Sequence, residues 1–118
     1  MTDQEIEAYL RENGYAGHVC RAGRAGLLRR WREFVEEVER GYRFGLEKYR
    51  KGLDLRGVIA LAGLDEEARE ADERLERMLT AREVRVWESG PGAPFWDFGY
   101  PRNAAPALLA DLKAEGLL

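Results

Sequence analysis

The fold turns on one stretch: Leu27-Leu28-Arg29-Arg30-Trp31-Arg32-Glu33-Phe34-Val35-Glu36-Glu37-Val38-Glu39-Arg40-Gly41-Tyr42-Arg43-Phe44-Gly45-Leu46-Glu47-Lys48-Tyr49-Arg50-Lys51-Gly52-Leu53, continuing into Asp54-Leu55-Arg56. Trp31 is set at zero and each residue advances by about 100°. Leu27, Leu28, Phe34, Val35, Val38, Tyr42, Leu46, Tyr49 and Leu53 then lie within about 60° of it. An arc about 120° wide is too broad for a coiled-coil seam and fits a helix buried against several partners. The pattern predicts one helix from about Ala25 to about Lys51, on the order of 40 Å long. Its polar face carries Glu36 with Arg40, Glu39 with Arg43 and Glu47 with Lys51, in the favourable i,i+4 order. Gly41 and Gly45 interrupt it, each at a cost of roughly 1 kcal/mol against alanine. Gly45 lies inside the apolar arc and Gly41 at its edge. They read as a tight helix crossing, with a hinge or ligand groove as the functional alternative. Phe44 lies about 140° from the stripe centre, where a simple bundle prefers a polar residue.

Working outward, Gly52 or Asp54 is expected to break this helix. Asp54 would cap a buried, nearly all-apolar helix through Val58, Ile59, Leu61 and Ala62, ended by Gly63. Asp65 then caps an acidic helix with Ala68, Ala71, Leu75, Met78 and Leu79 inward, ending near Ala81. At the N-terminus Thr2 and Glu5 form a capping box, Ile6, Tyr9 and Leu10 share a face, and Asn13-Gly14 ends the helix. Residues 15–24 read as a connector. Val84 and Val86 alternate with Arg85 and Trp87, which suits a strand. Ser89-Gly90-Pro91-Gly92-Ala93-Pro94 is a turn by composition, and Phe95–Tyr100 is a return strand. Asn103 caps a last helix to about Glu115 with Leu108, Leu109 and Leu112 inward. The expected fold is mostly α: a single helical domain, 1–118, bundled around one long central helix and closed by a short β-hairpin near 83–100.

A chain of 118 residues fits one domain and buries a core without disulfides or metal. The net charge of −3 is mild, so any nucleic-acid footprint must be local. Cys20 is the only cysteine, which points to a reducing cytoplasm. Met1–Glu7 has neither the basic start nor the apolar run of a signal peptide. No apolar stretch approaches the roughly 20 residues that span a bilayer, so a soluble chain without membrane partners is expected. Arginine outnumbers lysine by 16 to 3, with one serine and two asparagines. That bias suits a thermophile, and a GC-rich genome would produce it equally.

The chemistry-bearing residues each admit a structural and a functional reading. His18 and Cys20 form the lone His/Cys pair, short of the ligands a zinc site needs, so neither a metal nor a cofactor is expected. Arg21, Arg24, Arg29, Arg30 and Arg32 give +5 with no intervening acid, the best case for phosphate contact. Residues 65–76 carry seven acids against two arginines, and the two segments could pack side by side and cancel. Asp54 and Arg56 bring charge to the end of the stripe, where a buried charge must be paired. Asp72 is a candidate partner for Arg56. The structural reading is an ion pair and a cap, the functional one an arginine anchor for a carboxylate or phosphate beside Tyr49. Trp87, Phe95, Trp96, Phe98 and Tyr100 crowd the segment 87–100. They either pack over the open end of the bundle or, with Phe44, form a patch for a protein partner.

The elements Trp31…Phe34-Val35…Gly41-Tyr42…Tyr49…Leu53-Asp54-Leu55-Arg56, then Ala71-Asp72-Glu73-Arg74 and the segment 87–100, resemble a group of small bacterial proteins without an assigned activity. The group carries a tyrosine, an LD.R element and a D.R element in this order, and the likeness spans residues 31–100. Many of its members read NDLD where this chain has Lys51-Gly52-Leu53-Asp54, so a polar group before the leucine is missing. The resemblance implies that Tyr49, Asp54, Arg56, Asp72 and Arg74 form one polar cluster, and it brings no activity. The expected function is that of a small non-catalytic interaction or regulatory protein, with a protein partner or self-association through Phe44, Trp87, Trp96, Phe98 and Tyr100. The alternatives are nucleic-acid binding through Arg21–Arg32 and an anionic ligand at Tyr49 and Arg56.

Overall fold

The computed structural model describes residues 1–89 and 92–118; Gly90 and Pro91, within the turn expected at 89–94, lie outside the described residues. The chain runs α1 (Asp3–Glu12), α2 (Gly17–Arg21), α3 (Gly23–Arg40), α4 (Leu46–Leu61), α5 (Asp65–Met78), β1 (Leu79–Arg85), a 3-10 turn (Phe95–Asp97), β2 (Phe98–Pro101) and α6 (Pro106–Ala114). The fold is mostly helical with one small two-stranded antiparallel sheet, the class the sequence predicts. Within the described residues no helix is long and apolar enough to cross a membrane.

The predicted single helix over 25–51 is two helices. α3 ends at Arg40 because Gly41 takes φ +111° and ψ 109°, a backbone that L-residues rarely adopt. α4 begins after Gly45, whose missing side chain cannot cap it. A residue 65 positions away does so instead: an Asp111 carboxylate oxygen accepts the Leu46 N–H at 2.9 Å. A Cβ on Gly45 would stand 2.5 Å from that oxygen. On the other side of the break, Asn103 Nδ2 donates to Val38 O at 2.9 Å and Ala105 N–H to Tyr42 O at 2.8 Å. Tertiary partners therefore satisfy backbone groups that a continuous helix would have satisfied internally. The outer-face pairs change accordingly. Lys51 stays 3.9 Å from Glu47, whereas Glu39 leaves the expected Arg43 and takes Arg74 of α5.

Both halves of the stripe still face one core, because the chain folds back at 41–45. Trp31, Val35, Val38, Tyr42, Leu46, Tyr49 and Leu53 are all buried in one cluster. The rings of Trp31, Phe34, Tyr42 and Tyr49 form its aromatic heart, with neighbouring centroids 5.4 to 5.9 Å apart. Gly52, expected to break the helix, lies inside α4 and gives Phe34 a flat seat: a Cβ there would meet the ring at 2.3 Å. Asp54 is likewise inside α4 and caps nothing.

The remaining elements follow local chemistry with small shifts. Thr2 and Glu5 close the expected capping box, and α1 stops at Asn13. The connector expected at 15–24 contains the short α2 and the start of α3. α5 ends at Met78, before the expected Ala81, and passes directly into β1. β1 pairs with β2 through Leu79↔Pro101, Thr80↔Tyr100 and Arg85↔Phe98, with an irregularity between Thr80 and Arg85. α6 is shorter than expected; Asn103 serves α3 and does not cap α6.

Gly52→Ala separates helix propensity from packing. Alanine gains about 1 kcal/mol in a helix interior, and overpacking a ring held by three neighbours costs about 1–3 kcal/mol. We expect Gly52→Ala to lower the urea midpoint in the native background and to raise it in a Phe34→Ala background. A stabilising effect in both would show that the Phe34 ring yields freely.

Candidate functional site

The end of the stripe is where the polar residues converge. Val58 and Ile59 turn one face of α4 into the core, and Arg56 is carried in beside them, only 2% exposed. Its guanidinium forms a fork with Asp72 of α5, Nε–Oδ1 at 2.8 Å and Nη2–Oδ2 at 2.7 Å. Nη1 lies 2.8 Å from Asp65 Oδ1, a close ion pair bent away from hydrogen-bond alignment. Asp72 Oδ1 also accepts Trp31 Nε1 from α3 at 2.9 Å. The Trp96 ring closes the group, its centroid 4.2 Å from the guanidinium carbon. Burial pushes the Arg56 guanidinium down, but the hydrogen bonds and charge of Asp72, with the nearby charge of Asp65, hold it above the ordinary arginine range. Paired on two sides and covered by an indole, this cation joins α3, α4, α5 and the 3-10 turn.

The structure brings together two of the five residues expected in one cluster, Arg56 and Asp72. Tyr49 is fully buried in the aromatic heart, and burial pushes its phenol well above the usual range. Asp54 is exposed on the other side of α4 and accepts the Tyr15 hydroxyl at 2.5 Å. Arg74 faces α3 and pairs with Glu39, holding that carboxyl below its usual value. Residues two apart on a helix point in different directions, so Asp54 and Arg56 diverge.

The aromatic candidates sit close to the body of the protein. Trp96 is 7% exposed and donates Nε1 to Ser89 Oγ at 2.7 Å. Trp87 is half-buried under Arg50, Phe98 lies beneath Arg85, and Tyr100 is half-buried in β2. Phe44 belongs to the connector between α3 and α4, not to a helix face. Lys48 Nζ stands 3.7 Å from its ring centroid and Tyr42 meets it edge-on. Of the basic segment, Arg24 pairs with Asp3 and Arg29 with Glu33, and Arg30 is half-buried. Arg21 and Arg32 are exposed and form no ion pair among the described residues. The expected cancellation against the acidic helix runs with the opposite polarity, an α5 arginine on an α3 glutamate. His18 is exposed while Cys20 is buried, its thiol 3.4 Å from Tyr15 O. Among the described residues no three His, Cys, Asp or Glu side chains converge as a metal site.

Two clefts flank α4, and Asp54 borders both. The first, about 560 Å³, lies between α4, Trp87 and α6. Its floor is Arg50, forked onto Glu115 at 2.8 and 2.9 Å and donating Nε to Val86 O at 2.8 Å. The second, about 520 Å³, lies between Tyr9 of α1, the C-terminal half of α4 and the segment holding Ser89, Pro94 and Trp96. Sequence reading missed Asp97, a fully buried carboxylate that accepts Ser89 N–H at 3.0 Å and lies 3.5 Å from Arg85. Its one signal was an acid set between Trp96 and Phe98. Asp111 and Tyr15 gave none, since their partners are distant in sequence. The chain matches no family model, no curated protein and no solved structure.

Arg56→Met strands the Asp72 carboxylate, whose side chain is 13% exposed, against the core. We expect it to lose about 3–5 kcal/mol in chemical denaturation. Asp72→Asn, which keeps an acceptor for Trp31, should recover most of that loss in the double variant. A second check is alkaline. Burial raises the phenols of Tyr15, Tyr42 and Tyr49 above the ordinary tyrosine value of 10.0, with Asp54 adding to the effect at Tyr15. A raised folded pKa gives stability that is complete below the unfolded pKa and is lost as pH rises through the folded one. Tyrosinate absorbance from these three residues should therefore appear only as the protein unfolds above pH 10. Tyr49→Phe should shrink that late amplitude by one residue's share.

Proposed function

We propose that this protein is a small, non-catalytic interaction protein that receives a protein partner, or a second copy of itself, along the clefts beside α4. The observation that carries this is the fate of Arg56. The residue best suited to anchor a small anion is sealed between Asp72, Asp65 and Trp96, and Tyr49 is closed off in the core. What α4 presents outward is a pair of open clefts sharing the exposed Asp54. The second cleft, lined by Tyr9, Val58, Leu61, Pro94 and Trp96 with two carboxylates, suits an apolar side chain of a partner, whereas the first is lined mostly by charged residues and suits polar ones.

Nucleic-acid binding remains the second reading, favoured by exposed Arg21 and Arg32. Its weakness is that Arg24 and Arg29 already face acids. Phosphate contact is strongest at low salt, so a low-salt titration against DNA and RNA separates the two. For the leading reading, light scattering and affinity capture of the full chain, followed by cross-linking, should place a partner or second copy against α4. A strict monomer that captures nothing and binds RNA or DNA at low salt would overturn it.

A further inference from the structure

The second cleft has a specific chemistry. Leu61, expected within a buried helix, is instead 57% exposed at the last residue of α4; among the described residues the other exposed large apolar side chains are Leu118 at 46% and Met1 at 38%. A single exposed leucine is ordinary. This one is continuous with Val58 and Tyr9 on one wall and Pro94 and Trp96 on the other. The charged residues lining the cleft are Asp54 and Asp65, both exposed carboxylates. Arg56, whose guanidinium is buried against the Trp96 ring, shares its one charge between Asp72 and Asp65, so the group as a whole keeps a net negative charge. Glu66 and Glu67 follow Asp65 in the first turn of α5 but do not line the cleft, and Glu66 pairs with Arg69. An apolar trough edged by one sign of charge selects its ligand twice, by burial of an apolar anchor and by attraction of the opposite charge.

We propose that this cleft docks a short basic segment of a partner protein, seating one large apolar side chain against Leu61 and Tyr9 with a flanking Lys or Arg beside Asp54 or Asp65. The proposal rests on the interaction reading above and names the partner's chemistry. The test uses the full chain and a random peptide library displayed on phage. The wild type should enrich peptides with one large apolar residue flanked by Lys or Arg, and their affinity should fall as salt rises. Leu61→Glu alters an exposed helix end, and its fold is checked by circular dichroism. It should weaken the enriched peptides about tenfold or more, as loss of an anchor does. Asp54→Asn keeps an acceptor for Tyr15 and should weaken them less while flattening the salt dependence. Peptides that bind Leu61→Glu as well as wild type, an enriched set with no basic excess, or no enrichment would each overturn the proposal. If a partner cross-links instead to the Trp87 cleft, this inference falls and the interaction reading stands. If nothing binds anywhere, both fall.

Discussion

A buried guanidinium sets the terms for this fold. Taking an arginine out of water is costly, and the cost is met only by carboxylates held in good geometry. Asp72 and Asp65 come from α5, the Trp31 N–H that steadies Asp72 from α3, and the covering indole from the 3-10 turn. No two of these elements can shift independently without leaving a charge or a polar atom unmatched. Helix α5 is acidic on its outside yet packs closely, because its inner positions are Ala68, Ala71 and Leu75, with Asp72 beside them for Arg56.

The break at 41–45 is the second constraint. Two glycines end one helix and permit the next, but what fixes the turn is α6 and the segment before it. Asp111, Asn103 and Ala105 each engage a backbone group exposed by the break. The fold-back places Phe34 over Gly52 and brings four aromatic rings together, so the core depends on an interruption within its own apolar stripe. The outer side of α4 is left to border the two clefts.

Legibility followed range. The capping box at Thr2, the end of α1 and the inner face of α5 could be read because each rests on residues a few positions apart; the hairpin was legible only as a class, since its strands are Leu79–Arg85 and Phe98–Pro101, paired 13 to 22 positions apart, with a 3-10 turn at Phe95–Asp97 where a strand is expected. The apolar stripe was read in the right phase and given the wrong continuity. Periodicity reports which residues face the core and is silent on whether the backbone between them is straight. Gly41 and Gly45 suggest by sequence a close crossing or a hinge, and in the fold they end one helix and start the next. Arg56 with Asp72 was recoverable from the need to pair a buried charge. The grouping of Tyr49, Asp54 and Arg74 with them was not what the fold built, because α4 turns Asp54 outward and Tyr49 into the rings.

By itself the sequence determined the mostly helical class, most of the core and the need for any charge buried at the end of the stripe to find an opposite one. These follow from local propensity, side-chain period and the cost of an unpaired charge. Tertiary structure alone decided how the break at 41–45 is held, which acid caps α4, and that Tyr49, Asp54 and Arg74 stand apart from Arg56. Those outcomes rest on contacts between residues up to 65 positions apart, and no local pattern in the chain encodes them.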